Sequence, residues 1–130
     1  MKKNFNLEAD FKNSEGNIHV KIAMFSFKEK DNYIVYTPHF EVSGYGKTED
    51  EAMNSFNLAL GEFLDYITNK KTLHTVLTQL GWALKKGSPK HPRRIIAPEW
   101  TDLLKSNEDL TKILSNQEFS KRDRDVAIAV

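Results

Sequence analysis

The spacing of apolar residues changes once, at Gly46-Lys47-Thr48, and that change most limits what this chain can fold into. Before it, Ile18, Val20, Ile22 and Met24 alternate with His19, Lys21, Ala23 and Phe25, the period of two that a strand requires. The polar group 28–32 reads as a turn, and Tyr33-Ile34-Val35-Tyr36-Thr37 is β-branched and aromatic, as strands prefer. Pro38 ends or edges that strand. A short strand over 40–45 then closes on Gly44 and Gly46, where missing side chains permit a tight bend.

After the junction, Ala52, Phe56, Ala59, Leu60, Phe63 and Ile67 recur every three to four residues, which places them on one face of a helix. This helix is expected over 49–68, about 30 Å long at ~1.5 Å per residue. Thr48 suits its N-cap, with Glu51 reaching back to the Thr48 N–H and Glu49 and Asp50 near the positive helix end. Lys70 and Lys71 follow its negative end, and its outer face is acidic. The expected class is α+β: an antiparallel sheet of three to four strands with a long helix packed on one face.

Outside this centre the signals are shorter. Phe5, Leu7, Ala9 and Phe11 alternate with polar residues, and the turn-like 13–16 joins them to 18–25 as a hairpin. After the long helix, Thr72 can cap a short one that places Leu73, Val76, Leu77 and Leu80 on one face and ends at Gly81. Trp82 and Leu84 look strand-like, and 85–94, with Gly87, Pro89 and Pro92, reads as a loop returning through Ile95 and Ile96. Pro98 suits the first turn of a further helix with Trp100, Leu103 and Leu104 inward. Ser106 and Asp109 allow either a restart or a continuation to Leu114. Residues 1–70 therefore form a strand meander and helix, and 71–130 a C-terminal α/β extension packed on or beside it in one compact core.

Composition narrows the function classes. In 130 residues, 19 basic side chains nearly cancel 18 acidic ones, so the totals signal neither disorder nor a strongly polyanionic partner. The chain has no cysteine, which removes disulfides and thiolate metal sites and fits a reducing compartment. Apolar runs are far short of the roughly 18 residues that span a bilayer, and the N-terminus turns acidic by Glu8. A soluble cytoplasmic protein without a membrane partner is expected.

Chemistry-bearing patterns are sparse. Gly46-Lys47-Thr48 lies between a strand and a helix as the end of a P-loop does, but the position of that motif's first glycine is Glu41, a carboxylate where phosphate would approach. His19, His39, His74 and His91 show no metal-ligand spacing, and no carboxylate pair or nucleophile elbow stands out. No catalytic, cofactor or metal residue is assigned, and an enzyme is not expected. Two binding candidates remain. Lys85, Lys86, Lys90, Arg93 and Arg94 form a basic loop without Asp or Glu, able to contact phosphates or an acidic protein face. The terminal apolar segment, with Val126, Ile128 and Val130, can add a strand to a sheet edge, its own or a neighbour's, so a homodimer is a candidate assembly.

The order of Asn32-Tyr33-Ile34-Val35-Tyr36, a short strand, Gly44-Tyr45-Gly46-Lys47-Thr48-Glu49-Asp50-Glu51-Ala52 and a long helix resembles the HicB-like antitoxin domain over 18–67. In that family a "gYyVay" strand leads through a loop to "G-x-T-x-E-E-A" and a helix. The resemblance implies a partial RNase H-like fold without a nuclease centre, used in typical members to bind and silence a HicA-type mRNA-cleaving toxin. Tyr33, Val35, Gly46, Thr48, Glu51 and Ala52 carry over, in structural roles only. The family's proline-to-Gly-Cys loop is replaced here by residues 38–44, and its C-terminal DNA-binding module is not recognisable after Asn69. A HicB-like antitoxin or divergent relative with a protein partner is the leading expectation, and nucleic-acid binding through the basic loop 85–94 the alternative.

Overall fold

The structure, a computed structural model, describes residues 6–8, 17–68, 70–85, 94–116 and 118–129. Its centre is an antiparallel sheet of β2 (Asn17–Glu29), β3 (Asn32–Thr37), β4 (Val42–Gly46) and β7 (Phe119–Ala129), in the order β4-β3-β2-β7. A second, small sheet joins β1 (Asn6–Glu8), β6 (Arg94–Ile96) and β5 (Ala83–Lys85), in that order. The helices are α1 (Glu49–Tyr66), α2 (Lys70–Gln79), α3 (Trp100–Ser106) and α4 (Glu108–Asn116). The expected α+β class is present, and the main sheet is antiparallel with four strands, the fourth being β7 rather than β1.

The pleat divides β2 between two cores, because successive side chains point to opposite faces. Ile18, Val20, Ile22 and Met24 meet Ala52, Phe56 and Leu60 of α1, Leu73 and Leu77 of α2, and Val126 and Ile128 of β7. On the other face Ala23, Phe25 and Tyr36 meet Leu103, Leu110 and Ile113 of α3 and α4. Burying each large side chain contributes roughly 1.5–3 kcal/mol. Gly44 lets α1 lie directly on β4: a Cβ there would overlap the backbone of Phe56. Residues before and after position 70 thus share one core.

Local signals explain most boundaries. Thr48 Oγ1 accepts the Glu51 N–H at 3.1 Å, while Glu51 Oε1 accepts from Lys47 at 2.8 Å, one residue before the Thr48 N–H that a capping box would use. Helix α2 begins at Lys70, so Thr72 lies inside it. It closes in a Schellman motif, with Gly81 at φ +95°, Trp82 N–H bonded to Leu77 O and Gly81 N–H to Thr78 O. The break between α3 and α4 falls at Asn107, whose Oδ1 accepts the Leu110 N–H at 2.9 Å, so the helix restarts. Leu104 points outward, with Leu103 taking the core position.

Two strand pairings differ from the sequence reading. β1 pairs with β6 rather than with β2, so 13–16 does not join a β1–β2 hairpin; those turn residues lie outside the described ones. The terminal strand is much longer than its apolar segment, pairing with β2 in unbroken register from Asn17↔Ala129 to Phe27↔Phe119. Long-range pairing with an apolar neighbour overrides the weak local propensity of its charged half.

Candidate functional surface

Strand register aligns four apolar side chains across the whole width of the main sheet. Phe27 is opposite Phe119 on one side and Ile34 on the other, and Ile34 is opposite Tyr45. Directly paired residues share a face, so Tyr45, Ile34, Phe27 and Phe119 form one row. The neighbouring row, Ser43, Tyr36, Phe25 and Lys121, contributes Phe25 and Tyr36 to the core beneath α3 and α4. The outer row lies at the margin of that cover: Phe27 and Ile34 are half-buried, Phe119 is 39% exposed and Tyr45 68%.

Grooves open on both faces here. Beside the row, a groove of about 240 Å³ runs between Phe27 and Ile34 and the Asp109, Lys112 and Ile113 side of α4. On the opposite face, α1 packs on β4 and β3, and a cleft of about 760 Å³ lies between its first turns and the end of β2 and β7, bordered by Lys28, Tyr33, Met53, Glu118 and Arg122. Its charges are mixed, with Glu49 and Asp50 on the helix side. The Lys28 ammonium stands 5.5 Å from the Tyr33 ring centre, a cation–π distance.

The opposite end of the sheet is closed by aromatic packing. Phe63, Phe40, Trp82, His39, Trp100, Phe25 and Phe119 succeed one another with ring centres 4.8–6.1 Å apart, linking the two cores around the β3–β4 turn. Pro38 stops β3, and the side chain of His39 takes over its hydrogen bonding: Nδ1 accepts the Ala23 N–H at 3.2 Å, and the His39 carbonyl accepts from Trp82 Nε1 at 2.9 Å. The ring proton therefore sits on Nε2, which is buried without a hydrogen-bond partner among the described residues. Burial, helped by the Lys121 charge and opposed by Asp123, lowers the His39 pKa to about 4. At 2% exposure the ring cannot reach a substrate in this conformation.

A third concavity, about 470 Å³, lies where Glu41, Glu108 and Asp109 surround the Tyr36 hydroxyl, which accepts a 2.7 Å hydrogen bond from Asn107 Nδ2. Burial pushes the Tyr36 pKa up, Glu41 and Asp109 add to the rise, and the Asn107 bond opposes it. Among the described residues, no group of three or more His, Cys, Asp or Glu side chains is placed to hold a metal ion. No helix among them is long and apolar enough to cross a membrane.

Of the basic loop, Lys85 is exposed at the end of β5; Lys86, Lys90 and Arg93 lie outside the described residues, as does the side chain of Arg94, whose backbone belongs to β6. Val126 and Ile128 are buried in the chain's own core, so the edge they extend is that of their own sheet, and Val130 lies outside the described residues. Sequence reasoning missed the apolar row. Part of it was accessible: a two-residue loop at Lys30-Asp31 sets Phe27 opposite Ile34, whereas Phe119 joins through a pairing 92 positions away in the chain. No family model, curated protein or solved structure matches the chain.

Proposed function

We propose that the chain is a non-enzymatic protein-binding module, a HicB-like antitoxin or divergent relative that engages a partner such as a HicA-type mRNA-cleaving toxin. The observation that carries this reading is the row Tyr45, Ile34, Phe27 and Phe119, an apolar and mainly aromatic strip across the sheet, flanked by grooves. Exposed aromatic side chains on fixed backbone give large contact area at small entropic cost and are typical binding anchors. Two further features support it. A three-stranded meander running into a capped helix laid back upon it is what the resemblance implies. Glu41, in the loop that replaces the family's proline-to-Gly-Cys loop, has φ 55°, a conformation that favours glycine.

A small basic toxin would find complementary charge in Glu49, Asp50, Glu51, Glu62 and Asp65 on the outside of α1. The test is co-expression with a small basic reading frame encoded beside this one. The two products are expected to co-purify and mRNA cleavage to stop, and Y45S/F119S should abolish both effects with the fold intact by circular dichroism. Cleavage that continues unchanged in the presence of this protein sinks the antitoxin reading. Retention of single-stranded RNA by the purified chain, lost in the same variant, would instead make the row a base-stacking platform.

A further inference from the structure

We infer that β7 is a self-complementary edge, and that two copies of the chain pair through it, antiparallel, about a two-fold axis at Arg122. This goes beyond the proposed partner binding and does not rest on it. β7 is hydrogen-bonded on one side only, to β2, and among the described residues no strand lies along its other side. Its N-terminal part is open on both faces: residues 119–123 and Asp125 are exposed and Arg124 half-buried. The other edge, β4, is five residues long and overlaid by α1.

An eleven-residue edge presents outward N–H and C=O groups at alternate positions, and folded proteins usually blunt such an edge with proline, a bulge or charges. β7 contains no proline, and its register runs without interruption. Its charges are mixed in sign rather than uniform: Lys121, Arg122, Asp123, Arg124, Asp125. Among axes through the three central charges, Arg122, Asp123 and Arg124, they favour one. With the axis at Arg122, Lys121 stands opposite the copy's Asp123 and Asp123 opposite the copy's Lys121, while Ser120 meets Arg124 and Phe119 meets Asp125. The single like-charge pair is Arg122 with its own copy. An axis at Asp123 opposes Asp123 to itself and Arg122 to Arg124 twice, and an axis at Arg124 opposes Arg124 to itself and Asp123 to Asp125 twice.

Within one chain Lys121 Nζ and Asp123 Oδ1 are already 3.0 Å apart on the same face, both partly exposed. Pairing doubles this into a four-membered cluster of alternating sign. Surface ion pairs contribute little singly; backbone pairing holds the copies together, and the charges decide which residues face each other.

Because the chain has no cysteine, the register can be read by single-cysteine cross-linking. R122C is expected to oxidise to a covalent dimer, since directly opposed Cα atoms lie within the roughly 4.4–6.8 Å that a disulfide spans. K121C and D123C should not, their copies being offset by two residues. In sedimentation over a concentration series the native chain should reach twice the monomer mass. K121D should weaken association roughly tenfold, since it acts at both symmetry-related positions, and K121D/D123K should restore it. A monomeric mass at every concentration, preferential cross-linking through K121C or D123C, or failure of K121D/D123K to recover association would each overturn the proposal.

Discussion

At the end of the sheet holding the β3–β4 turn, His39, Phe40, Trp82 and Trp100 pack ring against ring, and His39, Phe40 and Trp82 are almost wholly buried. At the end holding the β2–β3 turn, Phe27, Ile34, Tyr45 and Phe119 line up across four strands, with Tyr45 and Phe119 open to solvent. The difference comes from the elements that cover each end. Helices α3 and α4 and the small sheet close the first, whereas the first turns of α1, at the second, stand over β4 and β3 and leave a cleft toward the end of β2 and β7. Aromatic surface is thus spent on stability at one end and left available for recognition at the other.

The sharpest test of that contrast uses two phenylalanines in contact. Phe25 and Phe119 have ring centres 5.4 Å apart, yet Phe25 is 2% exposed and Phe119 39%. Phe25→Ala is expected to cost about 3–5 kcal/mol in urea unfolding. Phe119→Ala should cost under about 1 kcal/mol, because its removal opens no enclosed cavity. Equal losses would show that Phe119 belongs to the core and would remove the row as a recognition surface.

His39 makes the closed end sensitive to acid. Its folded pKa is about 4 against an ordinary 6.5, so between these values the unfolded chain binds the extra proton. Stability is therefore complete above about pH 6.5, falls as pH drops toward 4, and loses no more to this group below that. The full span is worth about 3 kcal/mol. Urea midpoints across about pH 7 to 4 measure it, and His39→Gln, which keeps a polar side chain but does not titrate, should flatten this part of the profile.

An intermediate effect is expected at Asn107, which caps α4 through Oδ1 and donates to the Tyr36 hydroxyl through Nδ2. Asn107→Ala removes both bonds and should cost about 2 kcal/mol. Asn107→Asp keeps the cap, loses the donor and adds a further carboxylate to Glu41, Glu108 and Asp109 around Tyr36. It should recover part of the loss while raising the already elevated Tyr36 pKa further, which absorbance titration of the phenol would report.

The closed and open ends were not equally legible in sequence. Local signals carried the three-stranded meander, the Thr48 cap, the Gly81 stop and the hairpin returning through Ile95, because each depends on residues a few positions apart. The placement of β7 did not show: Lys121, Arg122, Asp123, Arg124 and Asp125 resemble a loop until Ile22, Met24 and Phe25 of β2 lie beside them. Asn107 was passed over for Ser106 and Asp109, equally good caps by residue type, and only the Tyr36 hydroxyl across the core distinguishes it. Nothing in the sequence set His39 apart from the other three histidines, since its role depends on two tryptophans 43 and 61 positions further along the chain.

The smallest effects separate the two ends by what accompanies them rather than by size. Among the described residues, two other than glycine have positive φ, one near each end: Lys30 at 56° in the tight β2–β3 turn and Glu41 at 55° before β4. A left-handed conformation costs a residue with a Cβ about 1–2 kcal/mol, part of which glycine forfeits again through the greater freedom of its unfolded chain. Lys30→Gly should therefore stabilise by roughly 0.5 kcal/mol and change nothing else, because Lys30 is exposed at the tip of the open end. Glu41→Gly should give a similar gain and also lower the Tyr36 pKa, since the Glu41 carboxylate is among the charges that raise it. Denaturant midpoints together with phenol titration distinguish the two. A destabilising Lys30→Gly would mean that its side chain holds the turn, and that the open end is braced by contacts of its own rather than by strand pairing alone.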